Sequence, residues 1–135
     1  MDQVSDLSKG IRQQVFLTML NYKRAEVRTD AIDGLVIIGE GGLQVFRMAT
    51  KDTFPKDVRD AAILELSRHS SSADTGLFKR LAQAGSDDEK MLSMKWLIRN
   101  SDKSMAGFFR TLMNGSKGAA VRHMSAVYAV LKSNA

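Results

Sequence analysis

His69 is followed by Ser70, Ser71 and Ser72, which sets an imidazole beside three hydroxyls, the group types from which a general base and its nucleophile are built. A working triad also needs an acid that orients the base through space, and adjacency along a chain supplies no such geometry. These residues read as a polar loop. The other histidine, His123, is remote in sequence, and neither lies in an HExxH motif or at metal-ligand spacing from a second ligand. The chain has no cysteine, so thiolate chemistry is excluded and any metal would depend on carboxylates. No DxDxDG-type calcium loop occurs, and Asp87-Asp88-Glu89 reads as an acidic first turn favoured by the helix dipole. Gly39-Glu40-Gly41-Gly42 lacks Rossmann and Walker spacing and reads as a turn between helices. No catalytic residue, metal ligand, cofactor or small-molecule substrate is assigned, and the chain reads as non-enzymatic.

Charge gives the strongest pointer to a partner. The 135 residues carry a net charge of +5, unevenly placed: residues 91–135 hold seven lysines and arginines against Asp102 alone. Such a basic end attracts an acidic protein surface or a phosphate backbone. The N-terminal stretch MDQVSDLSKGIRQQ lacks the basic and apolar regions of a signal peptide, and no run approaches 18 apolar residues. A cytoplasmic protein with no membrane association is expected.

The elements that must position these charges are helical. Val27, Ala31, Leu35 and Ile38 recur at helical spacing, as do Val58, Ala62 and Leu66, then Leu77 and Leu81, then Phe108 and Leu112. Glycine and small polar clusters separate them: GEGG at 39–42, SSSAD at 70–74, GSDD at 85–88, NSDKS at 100–104 and NGSKG at 114–118. Ser86-x-x-Glu89 has the form of a capping box, and Pro55 suits a first helical turn. LVIIG at 35–39 reads as the buried end of a helix stopped by Gly39. The pattern predicts eight helices, near 4–20, 25–38, 42–51, 56–69, 75–84, 87–99, 103–114 and 118–132, in one all-α domain over 1–135.

Two phrases, EVRTDAIDGL at 26–35 and DVRDAAILEL at 57–66, nearly repeat. Aligning Val27, Val58, Glu89 and Val121 brings Ala31, Ala62, Ser93 and Ser125 into register, and then Leu35, Leu66, Leu97 and Ala129. A second ladder runs through Phe46, Leu77 and Phe108, and a third through Thr50, Leu81 and Leu112. Each unit is a helical hairpin that cannot cover its apolar stripe alone, so hairpins stack into a solenoid. Residues 1–24 form an N-terminal capping helix, and repeats start near 25, 56, 87 and 118. The basic ladder Arg28, Arg59, Lys90 and Arg122 follows the anchors, with acids just before three of them, and reads as a structural tie between repeats.

Val27-Arg28, Ala31, Leu35 and Ile38-Gly39, then Pro55 three residues before Val58-Arg59, Ala62 and Leu66, resemble the HEAT-like repeat family, particularly the short variety of phycobilisome lyases. The resemblance covers about residues 25–132, and Glu89 and Ser93 depart from its apolar anchor and alanine. It implies a right-handed α-α superhelix of about four hairpins. In such solenoids the second helix of each hairpin lines the concave face, which would carry Arg47, Lys51, Lys79, Arg80 and Arg110, with Lys79 and Arg110 at one repeat position. HEAT-like alkylpurine DNA glycosylases set aromatic, acidic and arginine residues in such a groove. Trp96, beside Lys95 and near Arg99, lacks their full motif set and reads as packing among Met94, Leu97 and Ile98. The methionines of the second half, Met91, Met94, Met105, Met113 and Met124, also read as packing. The expectation is an interaction module that binds an acidic protein partner on the concave face. The alternatives are backbone-directed nucleic-acid binding through the basic C-terminal half and, last, a lyase or glycosylase-type enzyme.

Overall fold

Apolar side chains at every third or fourth place are hidden together only when the backbone coils, and the chain coils almost throughout. The computed structural model describes residues 2–69 and 72–133, with side chains described from Ser8 onward. Among these residues there are eight α-helices and no strand: α1 (Asp2–Leu20), α2 (Ala25–Ile38), α3 (Glu40–Met48), α4 (Lys56–His69), α5 (Thr75–Ala84), α6 (Asp87–Asn100), α7 (Ala106–Gly115) and α8 (Ala119–Ser133). Two 3₁₀ turns, Ser72–Asp74 and Lys103–Met105, precede α5 and α7. Ser70 and Ser71, half of the expected serine loop, lie outside the described residues. Among the described residues, no helix is long and apolar enough to cross a membrane.

The helices fall into two compact units, residues 1–69 and 70–135. In the first, α1 packs on α2, α2 on α3 and α4, and α3 on α4. In the second, α5 pairs with α6, α7 with α8, and α6 packs on α8. Helices α3, α5 and α7 are sharply two-faced, whereas α2, α4 and α6 separate apolar from polar residues less sharply. The small residues Ala31 of α2, Ala62 of α4, Ser93 of α6 and Ser125 of α8 are all fully buried, and so are Leu66 and Leu97.

Local chemistry sets the boundaries. Gly39 takes φ 82°, a backbone that side chains disfavour, and its N–H closes α2 on the Leu35 carbonyl at 3.4 Å. The turn is this one residue, because α3 already begins at Glu40 and holds Gly41 and Gly42 in its first turns. Gly42 is there for space: a Cβ would lie 2.0 Å from the Leu35 carbonyl oxygen. At α6, the Ser86 hydroxyl accepts the Glu89 N–H at 3.3 Å, and Asp87 and Asp88 fill the first turn. Asp102 caps the turn before α7, its Oδ1 accepting the Ser104 N–H at 2.9 Å and the Ser104 hydroxyl. The last seventh helix thus starts at Ala106 rather than near 103.

Two sequence expectations need correction. LVIIG is helical and stopped by Gly39, but only Leu35 is buried; Val36 is 44% exposed and Ile37 85%. The second ladder is also offset. The buried rings are Phe46, Phe78 and Phe109, while Leu77 and Phe108 are half-buried. The third ladder keeps its register, with Thr50, Leu81 and Leu112 all buried, so the one-residue offset is confined to the second. Phe78 then stacks on Trp96, with ring centroids 4.1 Å apart and planes inclined by 14°, and Phe109 meets Tyr128 edge to face at 5.5 Å.

Gly42→Ala is expected to destabilise the first unit by about 3 kcal/mol, because helix backbone cannot yield as a side chain can. Ser93 is the opposite case: its buried hydroxyl has no hydrogen-bond partner among the described residues, whereas Ser125 Oγ donates to the Val121 carbonyl at 2.7 Å. Ser93→Ala should therefore raise stability by about 1 kcal/mol. Thermal unfolding followed by circular dichroism checks both.

Hydrogen bonds from the Ser104 hydroxyl and N–H hold the Asp102 carboxyl below its ordinary value of 3.8. The cap's contribution is present above that value and is lost as the pH falls through the lowered folded pKa. A carbon-detected NMR titration should place the Asp102 midpoint below 3.8, and Ser104→Ala should move it upward.

Candidate interaction face

The basic residues divide into those that build and those that face solvent. Arg28 sits at the start of α2, where Nη1 donates to the carbonyls of Tyr22 at 2.7 Å and Lys23 at 2.9 Å. Its Nε donates to Asp57 Oδ2 at 3.0 Å, an ion pair between α2 and α4. Arg122 repeats half of this arrangement in α8: Nη1 donates to the carbonyls of Ser116 at 3.2 Å and Lys117 at 2.6 Å. Arg59 Nη1 reaches the Phe54 carbonyl at 2.6 Å. In each case the guanidinium folds back to the loop just before its own helix and satisfies carbonyls that no helix pairs. The third ladder member, Lys90, is half-buried and makes no side-chain hydrogen bond or ion pair among the described residues. Sequence reading expected ties between repeats and missed this loop closure. Its signal was the shared position of Arg28 and Arg122 a few residues after a short loop between helices.

Lys79, Arg80 and Arg110 lie in the second unit, on α5 and α7. Lys79 Nζ is held 5.6 Å above the ring centroid of Phe108, which joins the outer faces of these two helices. Arg80 and Arg110 are exposed, and Arg110 Nη2 donates to the Ser133 hydroxyl at 2.6 Å, where α8 ends. Neither α5 nor α7 contains an acidic residue. Arg47 and Lys51 belong to the first unit, Arg47 half-buried in the last turn of α3 and Lys51 exposed just beyond it.

Catalytic geometry is thin. His69 Nε2 lies 3.5 Å from Glu65 Oε2 one turn earlier, beside a small cleft lined by Leu35, Val36, Leu43 and Phe46. Glu65 also accepts Arg68 Nη1 at 3.2 Å, so it serves two side chains at the end of α4. Among the described residues, no three histidine or carboxylate side chains converge as metal ligands do. Trp96 is only 3% exposed, and its face is covered by Phe78.

The second unit also bears a groove that the sequence reading did not single out. It measures about 610 Å³ and is floored by Met113, Ala126, Val127, Val130 and Leu131, with Arg122 and His123 at one end. Val127, Val130 and Leu131 are each more than half exposed, so α8 shows apolar side chains on two faces. The recognisable signal was the run AVYAVL at 126–131, too apolar all round for a helix with one buried stripe.

Comparison with protein-family models, with curated proteins and with solved structures finds no match.

Arg28→Ala is expected to lower the stability of the first unit by about 2 kcal/mol, since it frees two carbonyls and a carboxylate together. Arg28→Lys should recover less than half, because an ammonium cannot fork to all three acceptors. Asp57→Asn should cost only about 0.5 kcal/mol, as expected of a half-exposed pair. Chemical denaturation of the three variants measures the ordering.

Proposed function

We propose that this chain is a non-catalytic helical interaction module that binds an acidic protein partner through the basic outer face of its second unit. The observation that carries the reading is the placement of Lys79, Arg80 and Arg110 on two neighbouring helices that contain no carboxylate. Neither helix carries an opposing charge of its own, and the cations stand on helices rather than loops. Phe108 beneath Lys79 restrains the ammonium and adds an apolar contact for a partner side chain. Arg47 and Lys51 extend the proposed basic set to the first unit.

The proposal includes the architecture. The echo of EVRTDAIDGL in DVRDAAILEL and the alternation of sharply two-faced helices with less segregated ones support HEAT-like hairpins stacked as a right-handed superhelix, about four in all. On this reading Lys79 and Arg110 occupy equivalent positions of successive second helices, the concave side of the stack. The setting is a soluble scaffold of the cytoplasm. Backbone-directed nucleic-acid binding uses the same cations, but only a phosphate lattice gives a steep dependence on salt.

Fluorescence anisotropy separates these readings with two probes, an oligoglutamate peptide and a DNA strand, titrated over a salt series. The acidic peptide should bind, and Lys79→Glu/Arg110→Glu should weaken it at least tenfold. Unchanged affinity in the double variant would overturn the choice of face. DNA binding that falls by orders of magnitude over a modest rise in salt would favour the nucleic-acid reading.

A further inference from the structure

The groove on α8 lies outside the Lys79 and Arg80 face and has the chemistry of a second site. Its floor runs along one helix from Ala126 and Val127 to Val130 and Leu131, with Met113 of α7 as the opposite wall. From Arg122 to Leu131 the groove extends for ~14 Å at 1.5 Å per residue, between two and three helical turns. That length and a straight apolar floor fit the single apolar stripe of another helix, read at i, i+3, i+4 and i+7. The Met113 thioether, flexible and polarizable, can adapt to the side chains presented.

Charge selects the occupant. Arg122 and His123 stand at one end of the floor, and no acidic residue lines the groove. From Lys103 to the end of the sequence there is no aspartate or glutamate at all, against five lysines and arginines. A second copy of α8 would bring like charges together, whereas carboxylates flanking an apolar stripe would complement the basic end. We infer that this groove is a docking site for an acidic amphipathic helix of a partner protein, seated on Val127, Val130 and Leu131 with its carboxylates toward Arg122 and His123.

The test uses the full chain and two labelled synthetic peptides of about 14 residues, each with leucines at i, i+3, i+4 and i+7. One carries glutamates beside the leucines and the other carries lysines. The acidic peptide should bind at least tenfold more tightly than the basic one, and amide shifts in a nitrogen–proton correlation spectrum should centre on α8. Val127→Asp/Val130→Asp alters two exposed positions and should abolish binding while leaving the circular dichroism spectrum unchanged; if that variant fails to fold, Leu131→Lys serves the same purpose. In Lys79→Glu/Arg80→Glu, which removes charge from the proposed basic face, the amide shifts on α8 should persist, so failure of the proposed function and failure of this site read out separately. The inference is overturned if neither peptide binds, if both bind equally, or if binding survives in the groove variants. It is also overturned if sedimentation shows that α8 is covered by a second copy of the chain.

Discussion

Close approach of helices at four small, fully buried residues is the constraint on which the rest of each unit depends. In the first unit Ala31 and Ala62 let α2 and α4 pack together while α3 covers both. In the second, Ser93 and Ser125 take the same role for α6 and α8, and the Ser125 hydroxyl lies 3.3 Å from Met94 Sδ. Larger side chains there would hold the helices apart and open the layers filled by Leu35, Leu66 and Leu97. Close packing also determines which faces remain for solvent, and so where charges such as Lys79 and Arg110 are displayed.

The arginines following the anchors act at the next level. Helix pairs this close leave short loops whose carbonyls no helix satisfies, and Arg28, Arg59 and Arg122 return to those carbonyls. The echoed phrase is thus tied to packing and loop closure at once. Chemistry is not repeated with it. The cations displayed outward, Lys79, Arg80 and Arg110, lie outside the phrase and come from helices with only one covered face.

Much of this was legible in the sequence because helical spacing and small-residue register are local signals. All eight helices, the stop at Gly39 and the cap at Ser86 follow from residues a few places apart. What was not legible depends on rotation about a helix axis. The ladder of Phe46, Leu77 and Phe108 gave way to Phe46, Phe78 and Phe109, because adjacent apolar residues on α5 and α7 compete for one buried place. The exposure of Val36 and Ile37 was hidden because an apolar run at a helix end has no periodicity to read. The loop contacts of Arg28 and Arg122 were hidden because a long side chain can reach forward to the next helix or back to its own loop. The groove on α8 escaped notice because each residue of AVYAVL reads as core until the neighbouring helices are placed.

If buried small residues organise each unit, the helix turns that carry them should be the last to open. Native-state hydrogen exchange measures this residue by residue. The amides flanking Ala31, Ala62, Ser93 and Ser125 should exchange most slowly, through global unfolding, while those on the outer turns of α3, α5 and α7 exchange sooner by local opening. Amides of α2, α4 and α6 exchanging as fast as those of α3, α5 and α7 would contradict the account.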